Sequence, residues 1–140
     1  MEIDAYPANA SEWEAAHGLE ASEEVNAHFG YLSAFHETHG YYIDGVDAST
    51  AALPPDWRER QILTPVDCDG REAYAITPEI HDLAASKLCR FDVSDRAFVE
   101  ALHAGGHLDP PLLEARIRTV PASEEEKARA AAFVRSLAKR

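Results

Sequence analysis

The chain has 140 residues, the size of one ordinary domain, and 46% of them are hydrophobic, enough for a buried core. Its 25 acidic residues against 13 basic ones leave a formal net charge of -12. That excludes a protein that grips nucleic acid through a broad cationic surface, yet leaves room for a small site that holds a nucleotide through a divalent cation. The first segment, Glu2-Ile3-Asp4-Ala5-Tyr6, alternates polar and apolar residues and stops at Pro7, which predicts a strand over residues 2–6. Glu2, Asp4 and Tyr6 share one face of it, and Ile3 and Ala5 the other. Helices are predicted over 10–17 and 22–29, with Ser11 and Ser22 as N-caps and Gly30 as a C-cap.

Gly40 to Val46 reads as a second strand, with Tyr41 and Ile43 opposite Tyr42 and Asp44. Residues 49–60 carry a Pro-Pro pair and read as a connection. Two further strands, 61–66 and 72–76, are joined across Asp67-Cys68-Asp69-Gly70 in a hairpin-type turn. From Thr77 the pattern turns helical. Thr77 is the expected cap, Pro78 the first helical residue, and Ile80, Leu83, Ala84, Lys87 and Leu88 form one stripe. Helices follow over 94–104, from Asp109 with Pro110 just inside, and from Ser123, where Ser123 and Glu126 make a capping box. Lys139 and Arg140 suit the C-terminal end of the last helix. The class is therefore α+β: a small mixed β-sheet with C-terminal helices packed on it. No apolar run is long enough to span a membrane, no export signal opens the chain, and Cys68 and Cys89 lack a CxxC spacing, so a cytoplasmic location is expected.

Three clusters carry candidate chemistry. Glu2 and Asp4, at i and i+2 on a strand, point to one side about 7 Å apart, a spacing that suits Mg²⁺ and its phosphate ligands. The alternative is a solvated acidic face. His81-Asp82-Leu83-Ala84-Ala85-Ser86-Lys87, followed by Asp95, places Lys87 on an apolar stripe, where its head needs an acid, a phosphate or a route to solvent. His36 and His39, with Glu37 and Asp44 nearby, have the outline of a zinc site but no third ligand at a standard spacing; packing roles are the alternative. Asp44-Gly45 is either a catalytic acid at a strand end or a plain turn.

The segments EIDAYP, FHETHGYYIDGV, LPPDWRER and HDLAASKL, in this order with Asp95 a short interval on, resemble a bacterial family of nucleotidyltransferase-like proteins of unknown function, distantly related to the AbiEii-type toxin nucleotidyltransferases. The resemblance runs from Glu2 to about Val120 and leaves out the last helix. It implies a nucleotidyltransferase-like domain over 1–120, with 121–140 as a helix on the same domain. It implies that Glu2 and Asp4 bind Mg²⁺, that Asp4, Asp44 and Lys87 serve catalysis, and that Asp82, Lys87 and Asp95 bind the nucleotide. The substrate implied is a nucleoside triphosphate, and the acceptor a hydroxyl of RNA or protein. A local basic patch of Arg58, Arg60 and Arg71 is the candidate RNA contact.

Two departures matter. Glu2 stands where the family pair has Asp, and the family's Gly-Ser turn, with the helix and strand before it, is absent. The chain is therefore expected to be incomplete or inactive alone, with a homodimer or a partner chain supplying the missing element. The other function class is a non-catalytic interaction or regulatory protein of a toxin–antitoxin-like system.

Overall fold

A computed structural model describes residues 2–139 and divides the chain into two compact units, Met1–Thr50 and Ala51–Arg140. Arg140, expected to suit the last helix end, lies outside the described residues.

The N-terminal unit holds β1 (Glu2–Ala5), α1 (Ala10–His17), α2 (Ala21–Phe29), α3 (Ala34–His39) and β2 (Tyr42–Gly45). β1 and β2 pair in parallel, with Glu2 opposite Tyr42, Ile3 opposite Ile43, Asp4 opposite Asp44 and Ala5 opposite Gly45. Parallel neighbours need a long crossover, and the three helices supply it. α1 ends where Gly18 turns left-handed. The N-terminus of α2 is not capped by Ser22. Its first N–H, on Ala21, donates to Glu14 Oε1 at 3.0 Å, so the acidic side chain of α1 satisfies the next helix. α3 falls in a segment that shows no apolar period. Ser33 caps it by accepting the His36 N–H, and Gly40 closes it in the left-handed region.

The C-terminal unit opens with a 3₁₀ turn at Trp57–Glu59 and an antiparallel hairpin, β3 (Ile62–Cys68) and β4 (Arg71–Thr77). Both strands run longer than expected, because the turn is only Asp69-Gly70. Both residues have positive φ, 52° and 78°, the backbone that a two-residue hairpin loop requires. Pro65 is tolerated inside β3 because a strand with one neighbour leaves outward N–H positions unused.

Four helices complete this unit: α4 (Ile80–Arg90), α5 (Val93–Ala104), α6 (Pro110–Thr119) and α7 (Glu124–Leu137). α4 starts two residues later than expected. Glu79, not Thr77, is its cap and accepts the His81 N–H. The Asp109-Pro110 start of α6 and both arms of the Ser123–Glu126 capping box are present. α4 sits against α5, α6 and α7. Leu88, Val99, Leu113, Ile117, Val120, Val134 and Leu137 bury their side chains between these helices. The class is α+β with C-terminal helices. Among the described residues, parallel and antiparallel pairing occur in separate two-stranded ladders.

Candidate metal centre

Register and pleat together build the acidic face of the N-terminal unit. Side chains alternate along a strand, so Glu2 and Asp4 on β1 face the same way as their opposite numbers Tyr42 and Asp44 on β2. Glu2, Asp4 and Asp44 each bring a carboxylate oxygen within 4.8 Å of the others. Glu2 and Asp4 are exposed and Asp44 is half-buried, so the cluster is open to solvent on one side. Its donors are all carboxylate oxygens, which fit a hard cation such as Mg²⁺ and not the nitrogen and sulfur preference of zinc.

Tyr42 belongs to this face although sequence reasoning gave it no role. Its hydroxyl donates to Glu2 Oε2 at 2.8 Å. That bond to Glu2 raises the Tyr42 phenol above its ordinary range, so the hydroxyl keeps its proton and remains a donor. The Glu2 side chain is thereby held in one direction. The alternation of Tyr42 and Asp44 was visible in the sequence. The pairing of their strand with β1 was not.

The strand end that carries Asp44 is fixed from α2. The Gly45 N–H donates to Asn26 Oδ1 at 2.6 Å, and Asn26 Nδ2 returns a bond to the Gly45 carbonyl at 3.4 Å. A Cβ on Gly45 would stand 2.2 Å from the Ser22 carbonyl oxygen. Gly45 is therefore strand and close helix contact at once, and the Asp44-Gly45 pair is not a plain turn.

Asp82, Lys87 and Asp95 lie in the C-terminal unit. Asp82 is fully buried and accepts from Arg60 Nε at 2.8 Å and Arg60 Nη2 at 2.9 Å, with Arg116 Nε 3.2 Å from its Oδ1. Arg60 also grips Asp56. The Arg60 hydrogen bonds bring the Asp56 carboxyl down to about 2. These bonds hold Arg60 inside the unit, which removes it from the basic patch expected with Arg58 and Arg71. Lys87 is half-buried, with Nζ 3.4 Å from Asp95 Oδ1 and 5.4 Å from the centre of the Phe98 ring. Asp95 is buried beneath Arg90, which donates from Nε and Nη2, both at 2.8 Å. Burial alone would raise the Asp95 carboxyl, but the Arg90 bonds and the Lys87 charge outweigh it and hold the group below its usual range.

His36 and His39 do not converge on a metal among the described residues. His36 Nδ1 accepts the Leu32 N–H at 3.1 Å, and its ring lies against Tyr31 and Tyr42. The His39 ring lies against Phe35 and Tyr41. Glu2, Asp4 and Asp44 form the one metal-competent group found among the described residues. A groove of about 630 Å³, lined by Pro110, Glu114, Arg118 and Arg135 among others, contains none of the predicted site residues.

A family model described as "Nucleotidyltransferase of unknown function (DUF6036)" matches residues 3–139, which takes in the last helix as well. No curated protein and no solved structure matches the chain.

Proposed function

The chain belongs to the DUF6036 family of nucleotidyltransferases of unknown function, and from that premise we propose that it serves metal-dependent transfer of a nucleotide from a nucleoside triphosphate to a hydroxyl of RNA or protein. One observation carries the proposal: the convergence of Glu2, Asp4 and Asp44 within 4.8 Å on one strand face. Mg²⁺ bound by these carboxylates would supply positive charge against the triphosphate oxygens. In the transfer, the acceptor oxygen bonds to the α-phosphorus and the bond to pyrophosphate breaks. The hydroxyl proton passes to a base, a role proposed for the Asp44 carboxylate. Tyr42 keeps Glu2 turned toward Asp4 and Asp44. Within the C-terminal unit, Asp95 holds the Lys87 ammonium, and Asp82 holds Arg60 and Arg116. Kinship with AbiEii-type toxin nucleotidyltransferases and a bacterial source belong to the same proposal.

The test is calorimetry with Mn²⁺ and ATP on the full chain. Mn²⁺ alone binds weakly, because most of its ligands stay water. With ATP present it binds more tightly, and Asp4→Asn weakens that binding by about tenfold or more. Wild-type protein that binds no ATP with Mn²⁺, or an Asp4→Asn variant that binds it unchanged, overturns the proposal. Stoichiometric zinc in the purified protein would do the same. A second reading, a non-catalytic interaction or regulatory protein of a toxin–antitoxin-like system, is favoured by the engagement of Lys87, Asp82 and Asp95 in ion pairs of their own unit. It predicts no transfer of label from the triphosphate to any acceptor, and transfer lost on Asp4→Asn would refute it.

A further inference from the structure

Beside the carboxylates the N-terminal unit presents an aromatic surface that no packing role uses up. Tyr31 is 67% exposed, yet its ring is not loose. It meets Tyr42 edge to face at 5.4 Å between ring centres and His36 at 5.1 Å, and His36 meets Tyr42 at 5.2 Å. The turn that carries it is closed by two bonds. Ser33 N–H donates to the Gly30 carbonyl at 3.1 Å, and Leu32 N–H donates to His36 Nδ1 at 3.1 Å. Leu32 sits at φ 64°, a left-handed backbone that costs a non-glycine residue about 1–2 kcal/mol, while its own side chain remains 69% exposed. The strained residue thus gains no burial. The turn's fixed product is the position of Tyr31.

We propose that Tyr31, backed by Tyr42 and His36, is the surface on which the base of the nucleoside triphosphate stacks. Two contacts separate that ring from the metal-competent carboxylates: Tyr31 on Tyr42, and the Tyr42 hydroxyl on Glu2. A nucleoside triphosphate has the matching layout, a polyanion at one end and a flat aromatic ring at the other, joined by a sugar. Stacking on an aromatic side chain accepts every base, because each has a π-face. His36 adds a polar group. Its Nδ1 accepts from the Leu32 N–H, which fixes the ring against Tyr31 and Tyr42. Recognition of the base is therefore by stacking and broad, not by reading its edge.

The inference rests on the metal and triphosphate role of Glu2, Asp4 and Asp44, and its test separates the two. Binding to the full chain is measured with Mn²⁺ and two probes, ATP and inorganic tripolyphosphate, which carries the polyanion without a base. Tyr31→Ala weakens ATP by about tenfold, within the range that base–aromatic stacking supplies, and leaves tripolyphosphate unchanged. Tyr31→Phe keeps both affinities, since the ring remains. The four common nucleoside triphosphates bind within a few-fold of one another. An unchanged ATP affinity in Tyr31→Ala, or an equal loss for tripolyphosphate, overturns the stacking surface while the carboxylate site stands. Wild-type protein that binds neither probe with Mn²⁺ overturns both.

Discussion

Asp82 shows how a residue singled out from sequence acquires a different environment in the folded chain. Near the start of α4 a carboxylate is favoured by the helix dipole. The fold buries it completely and surrounds it with Arg60 and Arg116. The arginines come from a 3₁₀ turn and from α6, neither adjacent in sequence, so no local pattern could announce them. A carboxylate held this way does not touch a solvent-borne ligand itself; it fixes two cations. Asp82→Ala leaves Arg116 beside an emptied site and Arg60 with Asp56 alone, and removing one partner of a buried ion pair costs about 3–5 kcal/mol. Urea unfolding followed by circular dichroism should show the midpoint fall accordingly. A loss below about 1 kcal/mol, the range of surface pairs, would mean that solvent reaches the cluster. Glu2 and Asp4 were legible in a way Asp82 was not. Strand alternation alone puts them on one face, whereas Tyr42 and Asp44 join them only through long-range pairing.

Elements with strong local signals were read correctly, and those defined by partners were not. The capping box of α7 and the Asp-Pro start of α6 are chemical devices confined to a few residues, and each appears where the sequence places it, while the hairpin turn narrows from the expected four residues to Asp69-Gly70. α3 escaped because its six residues have no room for an apolar period, and α2 was given the wrong cap because Glu14 comes from another helix. The parallel β1–β2 ladder was also beyond local reading, since residues about forty apart must meet. Gly45 is where that ladder can be tested. An added Cβ would stand 2.2 Å from the Ser22 carbonyl, a backbone atom that yields only if α2 moves. Gly45→Ala should therefore lower unit stability by about 1–3 kcal/mol, the range for overpacking. It should also weaken Mn²⁺–ATP binding, because α2 fixes the strand end that carries Asp44. Thermal melts and calorimetry on one preparation check both. A stable variant with intact binding would show that α2 and β2 are not tightly coupled.

At the scale of the whole chain, composition gave the class and the charge, but not the division. The change from sparse helices to a continuous helical pattern near Thr77 is prominent in sequence, yet the compact units part near residue 50, before the hairpin. Contacts decide such a boundary, and the Pro-Pro connection of residues 49–60 was its nearest local sign. The charge has a sharper consequence. The formal net charge of -12 is spread over a chain in which some of the 13 Lys and Arg side chains are already engaged. Arg60 holds Asp56 and Asp82, Arg90 holds Asp92 and Asp95, Lys127 holds Glu124, and Arg135 holds Glu114. Phosphate binding releases counterions only when cationic side chains replace them, and these pairs together with the acidic excess work against a grip on a polynucleotide. A fluorescent single-stranded RNA should therefore show no rise in anisotropy at micromolar protein and physiological salt. Such an outcome would turn the acceptor proposal toward a protein hydroxyl. Tight binding with a steep salt slope would instead show a cationic surface that these internal pairs do not exhaust. RNA would then be the acceptor to pursue, with Arg58 and Arg71 the first side chains to replace.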